Sequence, residues 1–447
     1  MKEKSLPQDS VVDRRSFLKT SSAALAGVAV SQLAVDRFAH AAASDELKIA
    51  LIGCGGRGSG AADQALNTHG LGPVKLVAVA DAFEDRMKGA LNGLKNKHGA
   101  RVDVPEDRQF VGFDGYKQAI ALADVVILAT PPGFRPQHFE EAIKLGKHVF
   151  AEKPVATDAP GIRKFLAAAD ESKKKGLKVG IGLQRHHQTG YLETIKRLHD
   201  GAIGDVTALR VYWNGNTPWV RARADLEKQY GRKITEMEYQ MRNWYYFVWL
   251  CGDHINEQHI HNIDVGNWVK GKYPVKANGM GGVQVRKGRD YGEIFDHHTV
   301  EFVFDDESRM YSQCRHIVGC WNSVSEHAHG TRGRADISGH MIFGEGDRWR
   351  HRGQGDPNPY QQEHDNLFAA IRNNTEFNEA HNGAMSTMSA LLGRMATYSG
   401  KEISMEDALK SEVNYFPDKL AWDALPKSLP GPDGMYEIPL PGLTKVV

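Results

Sequence analysis

Two stretches of this chain hold residues whose types and spacing could do chemistry. In the first, Gly53-Cys-Gly55-Gly-Arg57-Gly58 follows the apolar run Leu47 to Ile52 and opens a helical run to about Thr68. The next apolar run, Val74 to Ala80, closes on Asp81, 23 residues after Gly58. A glycine string is weak evidence in a chain with 46 glycines; strand, turn, helix, strand and a closing acid together are specific for a dinucleotide site. Gly53 permits the tight turn, Gly55 lets backbone N–H groups approach a diphosphate, and Gly58 lets helix pack on strand. The helix N-terminus adds positive dipole and unpaired donors. Asp81 would accept bonds from ribose hydroxyls and repel a ribose phosphate. The next residues, Ala82 and Phe83, supply no offsetting cation, so NAD is expected ahead of NADP.

The second stretch runs from Cys251 to Asp264 and places His254, Glu257, His261 and Asp264 at i, i+3, i+7 and i+10. On a continuous helix they share one face. Removing hydride from a carbinol carbon needs a base for the hydroxyl proton, and a neutral imidazole serves near neutral pH. An ammonium group nearby would stabilise the developing alkoxide; Lys153, at the end of an apolar strand, is placed for it. Asp264 reads as structural. His254 and His259 lack the i, i+4 pairing of zinc hydrolases, so no metal is expected.

Apolar strands alternate with helices from residue 46 to about 180: Ala123–Thr130, Lys147–Ala151 and Leu177–Gln184 are the later strands. This predicts an α/β Rossmann domain, a doubly wound parallel sheet with its ligands at the carboxyl ends of the strands. Those ends hold Gly53, Gly55, Gly56, Arg57, Gly58, Asp81, Thr130, Pro131, Glu152 and Lys153. Residues 181–400 contain longer strands, from Val206 and at 299–304, 309–314 and 335–342. They predict an α+β domain with a large, mostly antiparallel open sheet. Gln184, Arg185 and His187 leave the first domain where they would face the interdomain cleft. Trp213, Trp219, Trp244, Tyr245 and Tyr246 form an aromatic cluster that could stack on sugar faces. Arg221, Arg223 and Arg242 lie in a polar insertion between Asn214 and Asn243 and are candidates for an anionic or polyhydroxylated ligand. Residues 401–447 end in a Pro/Gly-rich stretch expected to be an extended tail.

The chain has 447 residues, 41% hydrophobic and 25% charged, and a net charge of +1. No basic run is interleaved with aromatics, which argues against a nucleic-acid partner. Residues 1–43 carry Arg14-Arg15, a short apolar run rich in Ser and Gly, and Ala39-His-Ala41-Ala-Ala43. These are the parts of a twin-arginine export signal. The apolar run is too short for a stable membrane anchor. The expected partner is the twin-arginine machinery, and the destination is periplasmic or extracytoplasmic. Cys54, Cys251, Cys314 and Cys320 show no metal spacing and are expected to be mostly buried free thiols.

Three stretches together resemble the glucose-fructose oxidoreductase / inositol dehydrogenase / rhizopine catabolism (Gfo/Idh/MocA) family. They are the glycine turn, Thr130-Pro131…His138…Gly146-Lys-His-Val-Phe-Ala-Glu152-Lys153-Pro154, and Gly252…Glu257…His261…Asp264. The resemblance implies NAD binding by the first domain, with His138 on the cofactor side. It implies Lys153 and His261 as catalytic residues; Glu257 stands where the family has Asp, one methylene longer. Substrate contacts are expected from Gln184, Arg185, His187, Trp219, Arg242, His254 and His261. The activity implied is an exported oxidoreductase for a sugar, polyol or glycoside, working as a dimer or tetramer. Free NAD is scarce outside the cytoplasm, so the cofactor is expected to be tightly held. Two alternatives use the same parts: a redox-neutral NAD-dependent glycoside hydrolase or lyase, and a non-catalytic sugar-binding relative. The family's NAD-dependent N-acetylgalactosaminidases lack the Glu-Lys-Pro lysine, and the retention of Lys153 favours the oxidoreductase.

Overall fold

The computed structural model describes residues 45–447; the export-signal reading of residues 1–43 lies outside them. Six strands form the first sheet: β1 (Leu47–Ile52), β2 (Val74–Asp81), β3 (Gln109–Val111), β4 (Val125–Leu128), β5 (His148–Ala151) and β6 (Val179–Ile181). Their order is β3-β2-β1-β4-β5-β6. The β1/β4, β2/β3, β4/β5 and β5/β6 pairings are parallel. Strand order reverses between β1 and β4, which opens a crevice at their carboxyl ends. β4, and β1 from Ile49 onward, are apolar and buried on both faces, as a sheet covered by helices on each side requires. The helix Ala159–Lys174 starts at Asp158, whose carboxylate accepts from the Gly161 N–H at 2.8 Å, the expected cap.

The second sheet has nine strands in the order β14-β13-β12-β11-β7-β10-β9-β8-β15. They are β7 (Val206–Gly215), β8 (Lys276–Gly282), β9 (His297–Val303), β10 (Arg309–His316), β11 (Ser323–Gly330), β12 (Gly333–Asp336), β13 (Met341–Phe343), β14 (Arg348–Arg350) and β15 (Ile403–Ser404). Only β7 and β10 pair in parallel among the registers described. β10 alternates buried and exposed residues, so one face of this sheet is covered and the other open. The helix Ala380–Ser399 is the shared wall: its Gly383 lies on Ile181 of β6 and its Gly393 on Phe302 of β9. Added Cβ atoms there would lie 3.0 Å and 2.8 Å from those side chains, so glycine sets the close approach. Apolar side chains of both sheets belong to one continuous core.

Three expectations need correction. Residues 335–342 are not one strand but parts of β12 and β13, reversed through Ile337–His340, where His340 N–H bonds to the Ile337 carbonyl. The tail from 401 begins with β15 and the helix Met405–Lys410 before it becomes irregular. The run 254–264 is not one helix: His254–Glu257 and Ile260–Lys270 are separated at Gln258–His259. There the His259 N–H reaches back to the His254 carbonyl, and the His259 ring is drawn inward to Ser312 Oγ at 2.8 Å.

Candidate active site

A cavity of about 420 Å³ lies over the carboxyl ends of β1, β2, β4 and β5. Gly53, Gly55, Gly56, Arg57, Asp81, Thr130, Pro131, His138, Glu152 and Lys153 line it from the first domain, and Trp219, Arg242 and Glu257 from the second. The glycines divide their work as the spacing predicts. A Cβ on Gly53, at φ 95°, would fall 2.5 Å from Thr130 N, and one on Gly58 would fall 1.9 Å from the Gly53 carbonyl oxygen. Gly58 is thus buried beneath the turn and does not line the cavity. Nothing lies within 4 Å of a Cβ placed on Gly55 or Gly56, which leaves an open cradle at the start of the helix Gly56–Asn67.

Asp81 accepts the Cys54 N–H at 2.7 Å on one oxygen and the Phe83 N–H at 2.8 Å on the other. Burial raises its pKa above the ordinary value, and those two donors oppose the shift. Lone pairs facing the cavity remain for ribose hydroxyls. The open glycine cradle, a helix start and this oriented carboxylate fit the adenosine and diphosphate parts of a dinucleotide. Ala82 and Phe83 carry no cation, but Arg86, Arg221 and Arg242 all line the same cavity.

At the other end, Arg57 donates through Nε to Glu152 at 2.8 Å and lies over the Tyr360 ring. Buried Arg135 donates to the carbonyls of Thr130, at 2.6 Å, and Pro154. It thereby ties the β4 loop to the Glu152-Lys153-Pro154 turn. Burial and the Arg135 charge hold the His138 imidazole down at about 3, hence neutral, with its Nδ1 3.3 Å from Thr130 Oγ1.

Lys153 Nζ donates to the Glu257 backbone carbonyl at 2.6 Å and lies 3.2 Å from its carboxylate. The interruption after Glu257 leaves its carbonyl available for this bond. Both side chains are mostly buried, at 13% and 15% exposure. His261 is buried, stacks on Trp213 at 5.9 Å, and has no hydrogen-bond partner for Nδ1. Burial first, then the charges of Lys153 and Arg185, hold it well below the ordinary imidazole range. The ring is thereby held neutral, and it is not among the side chains that line the cavity.

Other expected contacts lie elsewhere. His254 is fully buried with Nδ1 2.8 Å from Asp253, because the broken helix turns it into the core. Asp253 Oδ2 also accepts from Tyr398 Oη at 2.6 Å and Phe295 N–H at 3.0 Å. Asp253 is thus a carboxylate already taken by donors; its ligand atom and those of His254 and His298 lie within 4.8 Å of one another, and the Nε2 atoms of both histidines are buried without a hydrogen-bond partner. Arg185 pairs with Glu326, which also accepts from Tyr191 at 2.9 Å. His187 lies 3.0 Å from Glu379 and bonds Asn366. Gln184 donates to Tyr360 Oη at 3.1 Å. None of these four lines the cavity. Asp264 serves His186, Ser386 and Asn382, the structural role expected. Of the aromatic cluster, Trp219 and Trp244 reach the cavity wall, while Tyr245 and Tyr246 are core. Two features gave no sequence signal: Arg86, on the exposed face of an ordinary helix, and Trp422, whose ring packs 5.1 Å from Phe83 and 4.6 Å from Phe113. Cys54, Cys251 and Cys314 are buried free thiols, and Cys320 is exposed.

The fold and site define a Rossmann-type nucleotide-binding protein with an appended open-sheet domain. Residues 47–181 match the model of the Gfo/Idh/MocA family, described as an oxidoreductase family with an NAD-binding Rossmann fold. The match covers the first sheet and the helices that flank it. The chain is 23% identical to inositol 2-dehydrogenase of Rhizobium meliloti over 262 residues, 59% of this chain and 66% of that protein. It is 28% identical to a glycosyl hydrolase family 109 protein of Streptomyces coelicolor over 169 residues, 37% of this chain and 34% of that one. These matches span from about a third to just under two thirds of the relatives' lengths. Scyllo-inositol dehydrogenase of Lactobacillus casei, solved with NAD(H) and scyllo-inositol, shares the fold. Its TM-score is 0.59 at 21% identity, covering 81% of this chain and 99% of that one.

Proposed function

We propose that this chain is an exported, NAD-dependent oxidoreductase that removes hydride from a carbinol of a sugar, polyol or glycoside. The observation that carries the reading is Lys153 held against Glu257 across a cavity that also contains the glycine cradle and Asp81. The bound dinucleotide would supply the hydride acceptor. The chain's own residues do the rest. Gly55, Gly56 and the helix start would hold the diphosphate, and Asp81 the ribose hydroxyls. The Lys153 ammonium stabilises the oxygen that becomes negative as hydride leaves, and neutral His261 takes the hydroxyl proton. Glu257 fixes the ammonium's position, and Trp219 and Trp244 offer ring faces to a sugar.

Arg14-Arg15 and the following apolar run support export by the twin-arginine route; among the described residues no helix is long and apolar enough to cross a membrane. An exported enzyme that cannot exchange NAD must close its cycle on the protein, one carbohydrate reducing the cofactor and a second carbonyl compound reoxidising it. Tight retention of NAD belongs to this reading. So does assembly into a dimer or tetramer through the open sheet face, where Tyr311, Trp321 and Val324 are exposed.

The glycosyl hydrolase 109 relative favours a second reading, in which oxidation, elimination and hydride return leave net redox at zero. Incubating the mature protein with sugars and aryl glycosides separates the two. Growth of the reduced-nicotinamide absorbance without aglycone release supports the oxidoreductase. Aglycone release without net reduction supports the hydrolase, and silence with sugar affinity retained contradicts both.

A further inference from the structure

Three chemistry-bearing side chains are shut into the core of the second domain and do not line the groove: Asp253, His254 and His298, all fully buried. By sequence His254 is to be compared with His259, a spacing that makes no metal site. The fold sets it instead against His298 of β9, with ring centroids 4.8 Å apart.

The protons available do not fill this group. Thr397 Oγ1 lies 2.9 Å from His298 Nδ1 and donates its one proton to the carbonyls of Arg394 and Gly393, at 3.0 Å and 3.2 Å. The hydroxyl therefore accepts the Nδ1–H, which leaves a neutral His298 with a bare lone pair at Nε2. That Nε2 has no hydrogen-bond partner and lies 3.3 Å from Asp253 Oδ1, a second acceptor. His254 repeats the arrangement, with Nδ1 2.8 Å from the same oxygen and Nε2 buried without a partner. Two lone pairs set against each other in the core repel unless a proton or a metal ion lies between them.

The carboxylate charge is unmatched as well. Among the described residues, no lysine or arginine stands at ion-pair distance from Asp253. Arg394 gives its Nη1 to the Thr157 and Gly252 carbonyls, and Arg286 turns to His316 and the Phe295 carbonyl. Buried charges are ordinarily paired or bound to a metal. Asp253 is moreover held at φ 72°, ψ 162°, a conformation side chains rarely adopt, and there its carboxylate meets both rings.

We propose that Asp253, His254 and His298 bind one divalent transition ion of the zinc type. Two imidazoles and a carboxylate are ligands for such an ion, whereas calcium and magnesium take oxygen ligands. Thr397 holds His298 by the nitrogen that does not ligate, as partner groups around metal-bound histidines do. Closed to solvent, the site is structural. It joins β9, the helix Ala380–Ser399 through Thr397 and Tyr398, and the short helix His254–Glu257, whose last residue holds Lys153. It does not depend on what the groove binds.

Metal analysis of the tag-free full chain, with melting curves after refolding in Zn²⁺ or in a chelator, tests this. About one zinc per chain is expected, and zinc-refolded protein should melt roughly 5 °C or more above chelator-refolded protein. His298→Gln and Asp253→Asn should each lower the zinc content by roughly tenfold or more. His327→Ala, a histidine outside the group, should leave it unchanged. If the two buried variants do not fold, the wild-type refolding comparison decides alone. A wild type without zinc, melting identically in Zn²⁺ and in chelator, overturns the site and leaves a proton between Oδ1 and Nε2. Zinc retained in both buried variants places the ion elsewhere and overturns it too.

Discussion

Lys153 and Glu257 meet twice: the ammonium bonds the backbone carbonyl at 2.6 Å and reaches the carboxylate of the same residue at 3.2 Å. The carbonyl contact exists because the helix stops at Glu257, so a break in regular structure has become part of the site. Two acceptors from one residue fix the direction of a flexible lysine better than a single ion pair can. The Glu257 carboxylate is thereby committed to the lysine.

Glu257→Gln keeps the shape and the carbonyl bond but removes the charge facing Lys153. Turnover should fall by about tenfold or more, within the range for groups that tune acid–base chemistry, while NAD affinity stays close to wild type. Glu257→Asp should lose less, since the carbonyl contact survives. Steady-state kcat alongside the cofactor dissociation constant checks both.

His261 should set the acid limb of the rate profile. Its pKa is held well below the imidazole range, so protonation removes the base only well under pH 6.5. Rates measured from pH 5 upward should show no limb at the ordinary histidine value. His261→Asn should lower kcat by about 10²–10⁴-fold across that range.

Asp81→Ala removes a carboxylate whose backbone bonds shape the turn and whose free lone pairs face the cavity. NAD affinity should drop by roughly ten- to a hundredfold, corresponding to lost charge-assisted hydrogen bonds. Isothermal titration with NAD reads this directly.

Acid should destabilise the fold through its buried neutral histidines. His138, His259 and His364 are each held at about 3, and His148 at about 4, with burial the largest cause for every one. The unfolded chain binds these protons near pH 6.5 and the folded chain does not, so stability is present above that value. It is lost progressively as pH falls through the window between about 6.5 and 3. The melting temperature should decline steadily from pH 7 to pH 5, and a flat profile would argue against these assignments.

Local pattern was enough for the first domain. The glycine turn, Asp81 and the Glu152-Lys153-Pro154 turn were readable because each sits within or directly after one strand, where sequence neighbours remain spatial neighbours. The second stretch was readable by residue type but not by geometry. Its spacing implied one helical face, yet the pull of His259 into the core and the left-handed Asp253, at φ 72°, divide that face. As a result His254 turns away from the cavity while Glu257 faces it. Arg185 and His187 looked free to meet substrate because their carboxylate partners, Glu326 and Glu379, lie 141 and 192 residues further along. Arg86 and Trp422 escaped notice for the same reason, since only tertiary packing brings Arg86 to the groove and Trp422 against the Phe83 and Phe113 rings that line it.

The central claim is that the Lys153 ammonium acts on a carbinol beside a nicotinamide held in this groove. Single-turnover absorbance of the NAD-loaded protein, wild type against Lys153→Met, tests it most directly. A reactive sugar should raise the reduced-nicotinamide band in the wild type. The variant should stay silent while its bound NAD, measured after denaturation, is undiminished. Equal reduction in both proteins would contradict the account.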